Sequence, residues 1–182
     1  MTDGYEQVPG LVATGQAFAE TTLVVERERL EEAARYLRDE LGFDYLADIA
    51  AADYLGWGGE VAGSWGSAEG RDLNVPYTLG PSPVAESKPK RFSLSYHLLA
   101  LGADPVRVRL QTWLDDGEEV ATVVEVWPAA DWLEREVYDL MGIVFTGHPN
   151  PVRVLMPEDW EGHPLRKDYP VGGEPVRFSE EA

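Results

Sequence analysis

The chain contains no cysteine among its 182 residues. It therefore forms no disulfide bond and offers no thiolate to a zinc site or a conventional iron–sulfur cluster. Basic residues are also scarce, since 15 Lys and Arg stand against 33 Asp and Glu, for a formal net charge of -18. Nucleic acid and anionic lipid both bind through clustered Lys and Arg, so neither is expected as a direct partner. The charge favours solubility and basic protein partners.

Long apolar runs are absent as well. No stretch approaches the roughly 18 to 20 apolar residues of a membrane-spanning helix. The start, MTDGYEQVPG, has neither the basic beginning and apolar core of a signal peptide nor the Arg-rich beginning of a transit peptide. The sequence also has no Walker motif and no dinucleotide fingerprint. We expect a protein that is cytoplasmic, or that is held to a membrane only through partners.

The first half of the chain predicts a strand, a helix and a second strand. Residues 21–26 form a short β-branched run, and residues 43–52 have extended character. Between them, apolar residues recur at i, i+3, i+4, i+7 and i+11, which is one face of a helix. Those apolar residues are Leu30, Ala33, Ala34, Leu37 and Leu41. Such a unit implies a right-handed crossover between two parallel strands.

The second half predicts three more strands and a second helix. Residues 92–98 and 106–111 alternate apolar with polar side chains, and residues 120–127 are apolar enough for a central strand. Short turns link these strands, so they should be antiparallel. A helix is predicted over residues 131–142. The predicted fold class is therefore α+β, with a mixed, mostly antiparallel sheet, helices packed on it and an irregular C-terminal arm.

This pattern divides the chain into three parts. Residues 1–20 show no clear period and are predicted to be an N-terminal lead-in. Residues 21–145 form the α+β domain, with a Gly- and Pro-rich surface insertion at residues 55–90. Residues 146–182 form an extended C-terminal docking arm. Loops of more than about 12 residues without regular structure are uncommon. The large apolar residues of this arm argue against disorder, so it needs a surface to pack against.

Charged residues cluster on the predicted second helix. They are Glu134, Arg135, Glu136 and Asp139. Spacing alone favours a solvated face with local ion pairs worth about 0.3–0.5 kcal/mol each. Asp131 and Glu134 also have the spacing of a capping box, in which the two residues would satisfy backbone N–H groups at the start of the helix.

Two histidines of the arm, His148 and His163, have Asp159 and Glu161 between them and could be read as metal ligands. Their spacing fits no zinc motif. Each stands in a Gly-His-Pro sequence, which indicates a turn whose imidazole bonds to the backbone.

The sequence gives little support for a hydrolase with a nucleophilic serine. Ser93, Ser95 and His97 share one face of a predicted strand, but no nucleophile elbow or Gly-rich turn accompanies them. Alternation explains them as the exposed face of that strand. A hydrolase with paired carboxylates stays open because acidic residues are numerous, although the sequence singles out no pair.

The segment Pro164–Pro170 is the most basic patch of this acidic chain. It contains Arg166, Lys167, Asp168 and Tyr169. Arg offers a planar fork for carboxylates, and Arg and Tyr are enriched at protein interfaces. The residues alone leave two readings about even: a tail packed on its own domain, or a tail engaged with another protein.

The stretch from residue 134 to residue 170 resembles the signature region of the C subunit of bacterial NADH-quinone oxidoreductase, respiratory complex I. So many matched positions in one ordered run make the resemblance specific, and it extends more weakly over the domain from about residue 21. The matching pieces are Glu134-Arg135-Glu136, Tyr138-Asp139-Leu140-Met141-Gly142-Ile143, Gly147-His148-Pro149, Arg153-Val154-Leu155, Pro157, Asp159-Trp160 and the run from Gly162 to Pro170.

The resemblance implies a cofactor-free structural subunit of the peripheral arm of that complex, with no activity of its own. The complex passes electrons from NADH through FMN and iron–sulfur clusters in partner subunits to quinone, coupled to proton translocation. The C subunit would stand beside the D subunit, which helps form the quinone site, and beside iron–sulfur subunits. It would lie peripherally on the cytoplasmic side of the bacterial inner membrane. Related membrane-bound hydrogenases and dehydrogenases use a similar domain and are the alternative.

The resemblance also implies an interface in which the signature residues lock the helix to the arm or to a neighbouring subunit. No catalytic, cofactor-binding or metal-ligating residue is expected. The implied interface residues are Glu134, Arg135, Glu136, Asp139, His148, Arg153, Trp160, His163, Arg166, Lys167, Asp168 and Tyr169.

Overall fold

The computed structural model describes residues 4–57 and 88–170. Most of the predicted insertion at residues 55–90 and the last part of the predicted arm lie outside these residues. The described residues confirm the predicted α+β class, with a mixed sheet, two helices and a C-terminal segment without regular structure.

A five-stranded sheet forms the centre of the fold. Its strands have the spatial order β1-β2-β5-β4-β3, in which β2 and β5 are parallel and the other neighbours are antiparallel. The side chains of alternate residues point into the core, as in Phe92, Leu94 and Tyr96 of β4. The strands are Leu11–Ala17 (β1), Glu20–Val25 (β2), Tyr45–Asp53 (β3), Phe92–Ala100 (β4) and Val106–Leu114 (β5).

Two helices pack on this sheet. The first, α1, spans Leu30–Asp39 and buries four of its predicted apolar positions, while α2 spans Ala130–Met141. A short parallel pair, β6 (Val120–Ala121) and β7 (Phe145–Thr146), joins the segments before and after α2. In the part of the chain that the structure describes, no helix has the length and apolar character needed to cross a bilayer.

The predicted strand–helix–strand unit is present as β2, α1 and β3. The two strands run in the same direction, as predicted, because β2 is parallel to β5 and two antiparallel pairings lead from β5 to β3. They are not neighbours, however, since β5 and β4 lie between them.

The sheet begins earlier than the sequence predicts. Strand β1 lies within residues 1–20, the predicted lead-in, and pairs antiparallel with β2. The two residues of the connecting turn, Phe18 and Ala19, have φ of 51° and 61°. Such a turn is usually marked by Asn-Gly or Asp-Gly, so Phe-Ala carries no signal of a hairpin.

The strand predicted over residues 120–127 is wrong beyond Ala121. The chain turns instead, and the backbone N–H groups of Val126 and Trp127 both donate to the carbonyl of Val123 at 2.9 Å. The side chains of these three residues are buried, so the apolar run is a buried turn. Periodicity cannot distinguish such a turn from a buried strand.

The predicted exposure of one face of β4 is also wrong. Ser93 and Ser95 are both buried, and each has a larger side chain of β5 beside it. Trp113 is the register partner of Ser93, and the amide of Gln111 donates to Ser95 Oγ at 3.5 Å.

Candidate functional site

Asp139, in the last turn of α2, attaches the arm to the domain; the arm here is residues 146–170. The Asp139 side chain is fully buried. Its Oδ2 accepts hydrogen bonds from the successive backbone N–H groups of Val154, Leu155 and Met156 at 3.0, 2.8 and 2.9 Å. Its Oδ1 accepts one from Arg153 Nη1 at 2.6 Å. One carboxylate therefore holds four consecutive residues of the arm.

The same hydrogen bonds keep Asp139 ionised. Burial acts to raise the pKa of a carboxyl group, because it disfavours the charged form. Around Asp139 the donors from residues 153–156 outweigh burial and lower its pKa to about 2. The anchoring charge is therefore present throughout the physiological pH range.

The arm also caps the end of α2. The last carbonyl groups of a helix have no partner within the helix. Here the carbonyl of Asp139 accepts hydrogen bonds from Arg153 Nη1 at 3.1 Å and from His163 Nδ1 at 2.9 Å. The carbonyl of Leu140 accepts one from the backbone N–H of Leu165 at 3.0 Å. These bonds place the middle of the arm across the helix terminus.

The predicted solvated face of α2 is mostly buried. Glu134 and Arg135 are 0% and 8% exposed, and only Glu136 of the adjacent charged residues faces solvent. Arg135 donates from Nε to the carbonyl of Val152 at 3.1 Å, and its guanidinium lies 4.6 Å from the centre of the Trp132 ring. The prediction of a solvated face is therefore wrong for these two residues and for Asp139, since each contacts other parts of the domain or the arm.

Glu134 holds the loop before α2 instead of capping the helix. Its Oε1 accepts the backbone N–H of Val123 at 2.8 Å, and its Oε2 accepts the hydroxyl of Thr122. The helix begins after Ala129 with no side-chain cap, so the predicted capping box is wrong. Burial raises the pKa of Glu134 to about 7, although both hydrogen bonds act to lower it.

Both histidines of the arm bond to the backbone, which confirms the prediction from the Gly-His-Pro sequences. His148 Nδ1 accepts the N–H of Asn150 at 3.0 Å, so Nε2 carries the proton and donates to the carbonyl of Asp131 at 3.2 Å. The His163 ring fills the space beside Gly142, where an added Cβ would lie 2.5 Å from it. Within residues 4–57 and 88–170, no three His, Cys, Asp or Glu residues are placed to hold a metal ion.

Asp53, the last residue of β3, forms a second attachment point for the arm. Its buried carboxylate accepts hydrogen bonds from Arg91 Nε and Nη2 at 3.1 and 2.8 Å, and from the backbone N–H of Lys167 at 2.9 Å. Burial acts to raise the pKa of Asp53. The hydrogen bonds from Arg91, Lys167 and Leu55 outweigh it and lower the pKa to about 2.

Arg166 and Asp168 complete this second attachment. Arg166 donates to Asp116 Oδ2 at 2.7 Å and to Asp168 Oδ1 at 3.2 Å, while its guanidinium lies 5.2 Å from the centre of the Phe92 ring. Asp168 also pairs with Arg91 at 2.9 Å. The segment Pro164–Pro170 thus packs on its own domain, and its engagement with another protein stays a prediction.

The exposed surface of α2 and of the segment after it carries several large apolar side chains, among charged residues such as Glu136, Glu158 and Asp159. Twelve large hydrophobic residues are exposed in the described part of the chain, and half of them belong to this surface. We call it the arm surface; its apolar residues are Trp132, Val144, Val152, Leu155, Trp160 and Leu165. Tyr169 packs across Gly162, with its hydroxyl 3.4 Å from the carbonyl of Glu161, so it supports the arm from within.

A pocket of about 240 Å³ opens at the base of the arm surface. Its walls combine apolar side chains with the buried Glu134 and His148, whose polar atoms already have partners inside the domain. The pocket therefore suits an apolar side chain better than a charged one. It is lined by Glu134, Arg135, Tyr138, Val144, Phe145, His148 and Pro151.

The sequence did not reveal the partners of the arm within the domain. Asp53 and Arg91 are 38 residues apart in the chain, and Asp116 is 50 residues from Arg166. No local pattern links such distant residues. The only sequence signal was the position of Asp53 and Arg91 at the ends of predicted strands, which meet at one end of the sheet.

The chain is similar to a family of respiratory proteins. A family model described as the 30 kDa subunit of respiratory-chain NADH dehydrogenase matches residues 23–175. The C subunit of NADH-quinone oxidoreductase from Saccharopolyspora erythraea is 41% identical over 162 residues, 87% of this chain and 53% of the relative. The same subunit from Roseiflexus castenholzii is 36% identical over 172 residues, 93% of this chain and 80% of the relative. This chain thus spans about half the length of the first relative and most of the second.

Two solved structures share the fold. The trypsin-resistant fragment of Nqo5 matches with a TM-score of 0.54 and 31% identity, over 74% of this chain and 85% of the fragment. A chain of the membrane-bound sulfane sulfur reductase, an archaeal respiratory membrane complex, matches with a TM-score of 0.64, over 93% of this chain and 83% of that chain. At 19% identity, the second likeness concerns the fold alone.

Proposed function

This chain belongs to the family of the 30 kDa subunit of respiratory-chain NADH dehydrogenase, and we propose that it is a non-catalytic structural subunit of a proton-translocating NADH-quinone oxidoreductase. Its role is to hold neighbouring subunits in fixed positions through the arm surface. In this proposal it stands beside the D subunit in the peripheral arm, on the cytoplasmic side of the inner membrane.

The observation that carries this proposal is the way in which the arm is built. Several of its polar groups are bound to the domain: Asp139 accepts the N–H groups of residues 154–156 and pairs with Arg153, and Asp53 accepts the N–H of Lys167. Its large apolar side chains face outward, as in Leu155 and Trp160, which are 60% and 39% exposed. An exposed apolar surface on a fixed support is typical of a protein–protein interface.

The electron carriers belong to partner subunits in this proposal. FMN and iron–sulfur clusters there pass electrons from NADH to quinone, and this chain supplies no cysteine to any of them. Its contribution is to keep its neighbours in register and to exclude water from their contacts. The pocket beside Val144 and Pro151 accepts an apolar side chain of the neighbouring protein.

Co-purification of the tagged full chain from gently extracted membranes tests the assembly. Joint recovery of an NADH-oxidising flavoprotein, iron–sulfur subunits and membrane subunits is the expected result. Nickel–iron hydrogenase subunits would instead assign the chain to a related membrane-bound hydrogenase. A solitary protein with intrinsic turnover or stoichiometric metal would contradict the scaffold role.

Substitutions on the arm surface test where the docking occurs. Leu155→Ser and Trp160→Ser remove exposed apolar side chains, so we expect a folded chain with at least tenfold less recovery in the assembly. Leu101→Ser is the matched control, because Leu101 is 66% exposed in the turn after β4, away from the arm. Equal recovery of all three variants would exclude the arm surface as the docking site.

A further inference from the structure

Strand β1 forms an open edge of the sheet. Within residues 4–57 and 88–170 it pairs with β2 on one side, and no strand pairs with its other side. The pairing with β2 is irregular between Leu11 and Ala13 and then unbroken from Ala13 to Ala17. Every second residue of this regular part directs its N–H and C=O away from β2, toward the open edge.

This edge lacks the features that usually protect an edge strand from further pairing. Natural edges carry Lys or other charges, proline, or bulges that turn them away. Strand β1 reads LVATGQA, without a charge or a proline, in a chain of which 26% is charged. Its one irregularity lies at its first residues and leaves Ala13–Ala17 regular. The side chains from Val12 to Ala17 are exposed, so none of them blocks an approaching strand.

The turn at the end of this edge supplies a second observation. Phe18 is 102% exposed at the tip of the hairpin, with φ of 51°. A non-glycine residue in this conformation costs about 1–2 kcal/mol, and an exposed phenylalanine adds an apolar surface without an internal contact. The positive φ closes the two-residue hairpin, but the exposed ring of Phe18 does not stabilise the domain. The ring suits an apolar pocket of another protein.

The position of β1 in the sheet and the net charge of the chain restrict which kind of protein can bind this edge. Strands β3 and β4, which carry Asp53 and Phe92 of the second attachment point, lie on the other side of the sheet from β1. A second copy of this chain is disfavoured, because two chains with a formal net charge of -18 repel each other. The same charge attracts a basic protein. A row of free backbone groups is matched by another extended backbone.

We propose that the open edge of β1 accepts an extended strand of a basic partner protein, and that Phe18 enters an apolar pocket of that partner. The added strand pairs with residues Ala13–Ala17 and extends the sheet to six strands. This docking surface is separate from the arm surface, so the chain bridges two neighbours. It does not depend on the identity of the complex proposed above.

Site-specific photo-crosslinking in cells tests this surface with the full chain. A photoreactive phenylalanine analogue replaces Gln16, whose side chain is exposed on β1. The expected result is a crosslink to an extended segment of a protein with basic net charge. In addition, amide exchange of residues 13–17 should be at least tenfold slower at alternate positions in the purified assembly than in the isolated chain.

A blocking variant and a matched control complete the design. Thr14→Lys adds a charge to the open edge without a buried contact, and it should lower the crosslink yield at least tenfold. Ala103→Lys adds the same charge in the exposed turn between β4 and β5 and should not change it. The double variant Leu155→Ser and Trp160→Ser should leave the crosslink in place, which separates this surface from the arm surface.

Several outcomes would overturn the proposal. A crosslink to a second copy of this chain would make the edge a self-association site. A crosslink to another segment of the same molecule would make it an internal contact. Equal amide exchange of residues 13–17 in the assembly and in the isolated chain would show that no strand is added.

Discussion

Replacing Asp139 by asparagine tests whether one carboxylate fixes the arm. Asparagine has the same shape but a single oxygen. Therefore either Arg153 or the three N–H groups of residues 154–156 must face an amide NH₂ group. At neutral pH, a carboxyl whose pKa falls from 3.8 to about 2 contributes about 2.5 kcal/mol to the free energy of unfolding. Donors left unsatisfied near the buried site add to this loss, so we expect Asp139→Asn to lower stability by about 3–5 kcal/mol.

The pH dependence gives this prediction a second test. The folded-state pKa of Asp139 lies below its ordinary value, so its stabilisation is present above about pH 4 and is lost as the pH falls toward 2. The asparagine variant has no such group. The difference in stability between the two proteins should therefore shrink between about pH 4 and pH 2.

Urea unfolding and amide exchange measure these effects on the full chain. The amides of Val154, Leu155 and Met156 should exchange much faster in Asp139→Asn, since their acceptor is lost. Glu136→Gln is the control, because it removes one charge from an exposed position of the same helix. A loss of less than about 0.5 kcal/mol with unchanged exchange at these amides would refute the role assigned to Asp139.

Three further predictions concern other residues of the site. Burial holds the pKa of Glu134 at about 7, above its ordinary value, so the contribution of Glu134 to stability is greatest below about pH 4.5 and is lost as the pH rises through 7. Glu134→Gln should remove this dependence, worth on the order of 3 kcal/mol, in unfolding measured from pH 5 to 8. Gly142→Ala should lower the free energy of unfolding by several kcal/mol, because the new residue would adopt φ of +73° and its Cβ would also clash with the His163 ring. Gly117→Ala is the control: it has φ of +80° but open space around it, so it should lower the free energy of unfolding by only about 1–2 kcal/mol. Arg166→Ala should lower the yield of assembled complex, measured by co-purification, while Arg35→Ala, on the exposed face of α1, should leave it unchanged.

The parts of the fold that the sequence predicted depend on periodic patterns. The stripe of α1 and the alternation in β4 and β5 each specify which apolar side chains meet the core, and the structure follows them, although Ser93 and Ser95 on the other face of β4 are buried as well. The errors occurred where conformation depends on a few residues. The hairpin of β1 turns at Phe18 and Ala19, which lack the usual turn residues. Val123, Val126 and Trp127 are apolar because they are buried, whatever the backbone conformation around them.

The sequence predicted those features of the candidate site that depend on local order, and it missed the contacts between residues that are distant in the chain. The order of the signature residues indicated residues 134–170 as an interface, which stays a prediction, and the two Gly-His-Pro sequences correctly indicated imidazoles bonded to the backbone. Spacing could not show that Asp139 is buried, because its partners Arg153 to Met156 approach it only through the turn after α2. It also could not pair Asp53 with Lys167, 114 residues later in the chain. Charged residues on a helix appear solvated until the segment that covers them is placed.

The two attachment points would allow an arm without regular structure to act as the docking surface that we propose. Ordering a free segment costs about 1–2 kcal/mol per residue, so a partner that had to order even ten residues would lose on the order of 10 kcal/mol of binding free energy. Here Asp139 fixes the arm at residues 153–156, and Asp53 fixes it at Lys167. The segment between them, with Trp160, is held at both ends, so most of its ordering occurs when the domain folds. Buried ion pairs contribute little net stability compared with apolar packing. In the proposed docking role, their effect at these positions is to hold the exposed apolar side chains in one geometry before a partner binds.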